Sequence, residues 1–329
     1  MKKPLFRRLS FGLVCLLAAS ACLFPALAGA ADVKWPNRPI ELIVPFRSGG
    51  DTDFYARTYA KYLEKELGVA ITVINVEGAG GTVGAQQAAV ARPDGYKLLF
   101  YHTGNLYVNK LLGATDLDHN SYEIACIGVL DDTNVLVTNK EAGFANAQEF
   151  LTKARAEPGK YSVGTTISGF SFFTVCKMEA AGKFSLNPVD YGGAAAMIPA
   201  VMGNKVPLVA NSYGVFKQYI DSGDLIALIV SSEKRNPSFP NVPAVGELGM
   251  KDAAAARAYY FGFPKGTNPQ IVKKLSDAVG AIQKNASYVE DIKKAYCVEP
   301  FYRDVSTAKQ YMDEMWNDMV KYQSLMQRK

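Results

Sequence analysis

The chain has 329 residues, of which 49% are hydrophobic, 20% are charged, 28 are glycine and 16 are proline. This length and composition exclude a disulfide-stapled mini-protein and a disordered chain, and they predict a folded protein of about two domains. Four of the 36 basic residues precede residue 9, which leaves 32 basic against 31 acidic residues in the rest of the chain. Because that remainder is nearly neutral, a nucleic-acid-binding surface is not expected.

The first thirty residues are typical of a cleaved export signal. Residues 2–8 are basic, residues 11–24 are apolar, and the small residues after Pro25 match a cleavage site, so we expect the mature chain to begin near Ala31. The apolar run is shorter than the roughly 20 residues of a membrane span. A lipid anchor at Cys22 and a retained membrane anchor are the less favoured alternatives. The sequence therefore predicts an exported protein that is soluble in the periplasm.

Strand and helix patterns alternate from residue 40 to residue 231. The expected strands are 40–45, 70–76, 97–101, 124–130, 135–139, 161–164, 206–209 and 225–231. The expected helices are 53–67, 84–92, 147–156, 171–181 and 194–203. This alternation predicts an α/β fold with parallel sheets, in which ligands bind beyond the carboxyl ends of the strands.

The C-terminal part has helical patterns instead, at residues 269–285, 287–296 and 306–327. No low-complexity linker separates the two halves of the chain. That favours two domains between which the chain crosses more than once, and hence a hinged cleft rather than domains joined end to end.

Two glycine-rich turns follow the first two expected strands. Residues 45–53 read Pro-Phe-Arg-Ser-Gly-Gly-Asp-Thr-Asp and open one helix, and the turn from Gly78 to Gly84 opens the next. Backbone N–H groups at the start of a helix attract anions, and glycines let a ligand approach the backbone closely. Together the two turns are suited to a small carboxylate.

The sequence gives little support to a function that requires a cofactor or a catalytic group. The series Gly78-x-Gly80-x-x-x-Gly84 has Val83 where a dinucleotide-binding pattern has its third glycine, so no nicotinamide cofactor is expected. The common hydrolase, zinc-protease, nucleotide-loop and Cys-x-x-Cys motifs are absent from the sequence, and two histidines are too few for an ordinary zinc site. A binding protein needs none of these, so neither a metal nor a catalytic residue is expected.

The cysteines leave one alternative open. If Cys15 and Cys22 are removed with the signal, Cys126, Cys176 and Cys297 remain, which allows at most one disulfide. Cys126 lies in an apolar run and is expected to be a buried, inert thiol. The alternative to a binding protein is an exported enzyme or redox protein of α/β fold that uses Cys176 or Cys297 with a histidine.

Seven motifs occur in one order along the mature chain. The first two are Trp35-Pro36-x-Arg38-Pro39-Ile40-x-Leu42-Ile43-Val44-Pro45-Phe46 and Gly49-Gly50-x-x-Asp53. The others are Asn75-x-x-Gly78-Ala79-Gly80-Gly81-x-x-Gly84-Ala85, Pro93-Asp94-Gly95-Tyr96-x-Leu98-Leu99, Tyr191-x-Gly193, Ala227-Leu228-x-Val230-Ser231 and Asn241-Val242-Pro243-Ala244-Val245. With these motifs the chain resembles the substrate-binding proteins of tripartite tricarboxylate transporters, the TctC or Bug family.

The resemblance implies a type II periplasmic-binding fold, with two α/β domains around a hinged ligand cleft. It implies a first domain of residues 31–132 plus 246–329 and a second domain of residues 133–245. The expected function is to capture a small organic carboxylate and deliver it to the membrane subunits of a tripartite carrier. We expect a monomer without a cofactor; the sequence does not choose among carboxylates.

The resemblance also implies which residues contact the ligand. On the first turn they are Ser48, Gly49, Gly50, Thr52 and Asp53, and on the second Ala79, Gly80, Gly81 and Gly84. The second domain is expected to add Thr165, Thr166, Ser168, Ser171, Tyr191, Gly192 and Gly193.

Several further residues have two readings each. Arg47 stands with Ser48 where many relatives carry proline, and it is either a partner of the ligand carboxylate or a solvated loop residue. Asp53 either fixes the helix start or accepts a hydrogen bond from the ligand. His102, with Thr103 beside it, either contacts ligand or makes a loop hydrogen bond. Asn211 and Tyr213 have the same two readings.

The aromatic run of Phe170, Phe172 and Phe173 is expected mainly in the core. One of its rings is a candidate floor of the pocket.

A second departure from the family pattern lies beside the later expected strand. Where many relatives have Val-Asp, this chain has Val206-Pro207. Both departures are expected near the cleft, so both bear on the substrate.

Overall fold

The computed structural model describes residues 33–327. Residues 1–32 and 328–329 lie outside the described part, and with them the expected export signal, Cys15, Cys22 and the cleavage site near Ala31. From Trp35 onward the chain forms one compact unit. Within residues 33–327, no helix combines the length and the hydropathy that crossing a membrane requires.

Ten strands in the described residues form two five-stranded sheets. The strands are β1 (Ile40–Val44), β2 (Ile71–Asn75), β3 (Lys97–His102), β4 (Tyr122–Asp131), β5 (Asn134–Asn139), β6 (Ser162–Thr165), β7 (Asn187–Asp190), β8 (Leu208–Ser212), β9 (Leu225–Val230) and β10 (Arg257–Pro264). The first sheet has the order β2-β1-β3-β10-β4, and the second has the order β7-β6-β8-β5-β9. The expected two-sheet α/β architecture is confirmed.

Each sheet is mixed, so the expectation of purely parallel sheets is wrong. In the first sheet β1 runs parallel to β2 and β3, whereas β10 runs antiparallel to β3 and β4. In the second sheet β6 runs parallel to β7 and β8, whereas β5 runs antiparallel to β8 and β9. In the first sheet the antiparallel strand β10 is added after the chain returns from the second sheet. In the second sheet the antiparallel strand β5 is the first that the chain forms after it crosses.

Between residues 33 and 327, eleven α-helices accompany the sheets. They are α1 (Asp51–Leu67), α2 (Thr82–Ala89), α3 (Thr103–Leu111), α4 (Ala147–Ala156), α5 (Phe170–Gly182), α6 (Ala194–Met202), α7 (Tyr213–Asp221), α8 (Pro269–Ile282), α9 (Ala286–Tyr296), α10 (Ala308–Val320) and α11 (Gln323–Gln327). The pattern at 306–327 is two helices, because the chain turns at Lys321 and Tyr322. Helix α1 illustrates how local sequence determines a helix. Its apolar face is buried, and it ends at Gly68, which adopts a φ of 71°.

Four elements were not expected from the sequence. Strand β10 is buried at all eight positions and so shows no alternation, and β7 is a short, mostly exposed edge strand. Helices α3 and α7 begin immediately after β3 and β8, with no intervening turn residue to mark the change.

The chain crosses between the sheets twice. It leaves the first sheet at Asp131 and enters the second at Asn134, and it returns between Val230 and Arg257. Helix α9 packs against both α1 and α7, α10 packs against β4, and α11 packs against α5. The C-terminal helices therefore touch elements that belong to both sheets.

Candidate functional site

Four loops follow parallel strands at their carboxyl ends. The first loop (residues 45–50) joins β1 to α1, and the second loop (residues 76–81) joins β2 to α2. The third loop (residues 166–169) joins β6 to α5, and the fourth loop (residues 191–193) joins β7 to α6. We call the space between the first two loops and the last two the cleft. Ligands of α/β sheets bind at such strand ends.

The first loop is held by carboxylates of its own helix. The N–H of Gly49 donates to Asp53 Oδ2 at 3.0 Å, and the N–H of Thr52 donates to Asp51 Oδ1 at 2.6 Å. Burial raises the pKa of Asp53, but Arg57, the Gly49 N–H and Asn75 outweigh it, so the pKa is lowered. Of the two readings of Asp53, the structure shows the one in which it fixes the start of α1.

Arg47 lies at the surface of the first loop. Its side chain is 84% exposed and forms an ion pair with Glu77 of the second loop. The pair joins the two loops from outside. Because Arg47 is paired, the structure shows the solvated reading, and a contact with the ligand stays a prediction.

The second loop contains four successive residues with positive φ: Gly78 at 136°, Ala79 at 45°, Gly80 at 62° and Gly81 at 99°. The carbonyl oxygen of Gly80 accepts hydrogen bonds from Tyr101 Oη at 3.1 Å, Asn105 Nδ2 at 3.2 Å and Asn109 Nδ2 at 3.0 Å. These donors hold the carbonyl toward the protein. The N–H groups of Ala79 and Gly80 open a turn of 3-10 helix and have no partner within that turn.

The second loop meets the second sheet at Gly80. A Cβ atom on Gly80 would lie 2.6 Å from Ser168 Oγ. Nearby, the N–H of Phe170 at the start of α5 donates to Asn105 Oδ1 at 3.2 Å. The structure thus brings together Gly80 and Ser168, two predicted site residues from opposite sides of the cleft.

The third and fourth loops are fastened by hydroxyls and by one carboxylate. Thr165 Oγ1 and Ser171 Oγ lie 2.8 Å apart. Asp190 Oδ1 accepts the N–H of Ile167 at 3.3 Å and of Gly192 at 3.0 Å. Asp190 was not predicted from the sequence, although it stands directly before the motif Tyr191-x-Gly193.

The predicted site residues differ in burial. Exposed or half-buried are Arg47, Ser48, Gly49, Gly50, Ala79, Gly80, Thr166, Ser168, Tyr191, Gly192, Gly193 and Asn211. Buried are Thr52, Asp53, Gly81, Gly84, His102, Thr103, Thr165, Ser171 and Tyr213. The first group belongs to all four loops and to the end of β8. The second group is buried beside or behind these positions. Contact with a ligand stays a prediction for both groups.

His102 caps helix α3. Its Nδ1 accepts the N–H of Asn105 at 3.2 Å, and its ring stacks on Phe46 with centroids 5.5 Å apart. Burial, with a contribution from Arg257, lowers the pKa of His102 well below its ordinary value. The imidazole is therefore neutral, and of its two readings the structure shows the loop hydrogen bond.

Asn211 and Tyr213 flank the end of β8. Asn211 Oδ1 accepts the N–H of Ser212 at 2.8 Å, and the Tyr213 ring stacks on Phe239 with centroids 4.0 Å apart. Phe172 and Phe173 are in the core. Phe170 belongs to the same core, and its ring centroid lies 5.5 Å from the guanidinium carbon of Arg257. A place for one of these rings at the floor of the pocket stays a prediction.

A buried ionic cluster, also missed from the sequence, lies where the chain crosses between the sheets. Arg257 Nη2 is 2.5 Å from Asp51 Oδ2 and 3.0 Å from Asp131 Oδ2. Ser212 Oγ donates to Asp131 Oδ2 at 2.9 Å and also contacts Arg257. Burial raises the pKa of Asp51, but Arg257 and Thr52 outweigh it and lower the pKa. The sequence feature that could have indicated this cluster is Arg257, an arginine at the edge of an aromatic run.

The three cysteines in the described part of the chain, Cys126, Cys176 and Cys297, are buried. Burial raises the pKa of Cys126 and of Cys297, which keeps both as thiols. Cys176 is also buried, within α5. Among residues 33–327 there is no group of three His, Cys, Asp or Glu residues that could hold a metal ion.

Residues 55–328 match the family described as "Tripartite tricarboxylate transporter family receptor", TctC. The chain is 30% identical over 308 residues to a UPF0065 protein encoded in the gbd 5' region of Cupriavidus necator, and the match covers 91% of each chain.

Two solved structures have similar folds. That of the periplasmic binding protein BugD is 26% identical, with a TM-score of 0.78, and the match covers 88% of this chain and 98% of BugD. That of Rpa4515 from R. palustris, solved with adipate, is 24% identical with a TM-score of 0.77, covering 88% and 98%. The family and its neighbours are solute-binding proteins and not enzymes, so the expected binding protein is confirmed and the cysteine enzyme is not supported. The chain belongs to the TctC family of tripartite tricarboxylate transporter receptors.

Proposed function

We propose that this protein captures a small organic carboxylate in the periplasm and delivers it to the membrane subunits of a tripartite carrier. The observation that carries the proposal is the meeting of Gly80 and Ser168, where the second and third loops approach each other. Both loops lead into helix N-termini, whose N–H groups and dipoles favour an anion. A ligand carboxylate between them touches both sheets at once.

The donors around the cleft are sufficient in number. Micromolar affinity corresponds to about −8 kcal/mol, and a hydrogen bond to a charged group contributes about 1.5–3 kcal/mol. Four or five such bonds account for that affinity. The N–H groups of Ala79 and Gly80, the first-turn N–H groups of α6 and the Ser168 hydroxyl supply them. No catalytic group is required.

We propose that the cleft closes by a hinge between two domains, residues 31–132 plus 246–329 and residues 133–245. The sheet membership of the strands supports this division, since β1 to β4 and β10 form one sheet and β5 to β9 the other. A ligand that touches both domains favours the closed state because it binds that state more tightly. The protein acts as a monomer in this scheme.

The adipate in Rpa4515 supports a small carboxylate as the kind of ligand, since that protein has the same fold. The family description supports a tripartite carrier as the recipient.

A thermal-shift panel tests the proposal. The chain from Ala31 onward is heated with small mono-, di- and tricarboxylates and with the amides of the same acids. An acid present at a hundred times its dissociation constant stabilises the protein by about 2.7 kcal/mol. The proposal expects a shift for at least one acid and none for its full amide. Shifts only with uncharged solutes or nucleotides would overturn it.

A further inference from the structure

The ionic cluster of Asp51, Asp131, Arg257 and Ser212 lies at the cleft and not only at the chain crossing. Asp51 is the first residue of α1, directly after the first loop, and Ser212 ends β8 of the second sheet. Ser212 Oγ lies 3.4 Å from Asp51 Oδ2, so Asp51 contacts groups from both sheets. Its side chain keeps 15% of its surface exposed, against 7% for Arg257 and 1% for Asp131. Asp51 is therefore the member of the cluster that a ligand can reach.

The cluster carries one excess negative charge. Two carboxylates share the single guanidinium of Arg257, and the pKa of Asp51 is lowered, so Asp51 is ionised at neutral pH. The other arginines of the first loop and of α1 do not offset this charge. Arg47 is paired with Glu77, and Arg57 is paired with Asp53.

A buried acceptor beside the cluster gives independent evidence. Asn134 is opposite Ser212 in the β5–β8 pairing, so their side chains lie on the same face of the sheet. Asn134 Nδ2 donates to Thr174 Oγ1 at 3.1 Å, and the Thr174 hydroxyl itself donates to the Ser171 carbonyl. This fixes which end of the amide points to Thr174. Asn134 Oδ1 is then buried without a donor among the described residues.

We infer that the ligand carries a hydrogen-bond-donating nitrogen at the end opposite its carboxylate, and that Asp51 recognises it. This inference rests on the proposed function. An ionised carboxylate and a buried oxygen without a donor both favour N–H groups, whereas a second carboxylate on the ligand would meet the excess negative charge of the cluster. The preferred ligand class is therefore an amino acid or the monoamide of a diacid, and not a dicarboxylate.

Matched ligand pairs test the inference. By titration calorimetry, the wild-type chain is compared on β-alanine against succinate, γ-aminobutyrate against glutarate, and succinamate against succinate. We expect the nitrogen-bearing member of at least one pair to bind about tenfold or more tightly than its dicarboxylate. In the Asp51→Asn variant the ratio should fall to about threefold or less, because the excess charge is gone. Asp277→Asn, which removes an exposed carboxylate from α8, is the control and should leave the ratio unchanged.

The outcomes separate this inference from the proposed function. Tighter binding of the dicarboxylates in every pair would overturn the inference and leave carboxylate binding intact, as would an unchanged ratio in a folded Asp51→Asn variant. If that variant does not fold, the wild-type ratios decide alone. Binding of none of these acids, together with a negative panel of other carboxylates, would overturn both.

Discussion

At the residue scale, the backbone of the second loop explains why glycine is needed at position 80. Gly80 has a φ of 62°, and a Cβ atom there would lie 2.6 Å from Ser168 Oγ and 3.0 Å from Asn109 Oδ1. A side chain would therefore be strained in its backbone and would also push the second loop away from the third. Both effects act on the carbonyl that Tyr101, Asn105 and Asn109 hold in place.

Gly80→Ala should destabilise the fold and weaken ligand binding. A non-glycine residue in the left-handed region costs roughly 1–2 kcal/mol. Gly113→Ala is the matched control, because Gly113 has a φ of 74° and nothing within 4 Å of its Cβ position. In urea titrations Gly80→Ala should lose at least as much unfolding free energy as Gly113→Ala, because it adds close contacts with Ser168 and Asn109 to the backbone strain. Only Gly80→Ala should also lose about tenfold or more in affinity for the acid found in the thermal-shift panel. Wild-type affinity in Gly80→Ala would contradict the placement of the ligand at the second loop.

His102 makes a prediction about pH. Its pKa in the folded protein lies well below the ordinary value near 6.5, because the ring is buried and Arg257 is near. The unfolded chain then binds a proton at this residue as the pH falls below about 6.5, while the folded chain does not. The stability contributed by the neutral ring is therefore present above that pH and is lost on acidification, by up to about 1.4 kcal/mol per pH unit.

His102→Asn isolates this effect. Asparagine is a good helix cap and can accept the N–H of Asn105, but it does not titrate. Urea unfolding at pH 5, 6 and 7 should show a smaller loss of stability toward pH 5 in the variant than in the wild type. Parallel pH profiles for the two proteins would show that His102 is not buried in its neutral form.

At the scale of elements, helix α3 connects the two sides of the cleft through Asn105. Its side chain donates to Gly80 O of the second loop and accepts the N–H of Phe170 at the start of α5. Its backbone N–H is capped by His102. The position of α3 thus sets how far the second loop stands from α5.

Asn105→Ala should cost more than the loss of one hydrogen bond. The variant removes a donor from Gly80 O and leaves the Phe170 N–H without its acceptor, which together cost about 1–3 kcal/mol. Tyr101→Phe removes only a donor to the same carbonyl and should cost about 1 kcal/mol. Affinity should fall further in Asn105→Ala, since only that variant breaks the link to α5. Equal stability and equal affinity in the two variants would argue against this connecting role.

The sequence predicted the elements whose periodicity is local, such as α1, α4 and α9. It did not predict β10, because a strand buried on both faces has no alternation, and its antiparallel place between β3 and β4 depends on the chain returning from the second sheet. The glycine loops were predictable from their position between strand and helix. The cluster around Arg257 was not, since Asp51, Asp131 and Ser212 come together only when the two sheets are assembled.

At the scale of the whole molecule, the C-terminal helices hold elements of both sheets together. Lys177 of α5 is 3% exposed, and its ammonium donates to Ala254 O at 2.8 Å and pairs with Asp318 of α10 at 3.0 Å. Ala254 lies on the returning crossover. The buried Lys177 side chain thus links α5, the crossover and the C-terminal helices. A closing motion of the cleft must either preserve this link or break it.

Lys177→Met should destabilise the protein by about 1–3 kcal/mol, because the Ala254 carbonyl loses its donor. Lys321→Met is the matched control. Lys321 pairs with the same Asp318 but is 68% exposed, so its loss should change the unfolding free energy by about 0.5 kcal/mol or less. Urea denaturation of both variants checks this, and equal effects would show that Lys177 does not link the two parts.

Binding of a carboxylate by the loops at the strand ends can be measured by calorimetric titration of one acid and its matched amide. The acid with the largest thermal shift is titrated into the wild-type chain, followed by the analogue in which only the carboxylate expected at the second loop is an amide. We expect one acid bound per chain and an affinity for the amide lower by at least about tenfold, since hydrogen bonds to a charged group are the stronger ones. Equal affinity for the acid and the amide would contradict it.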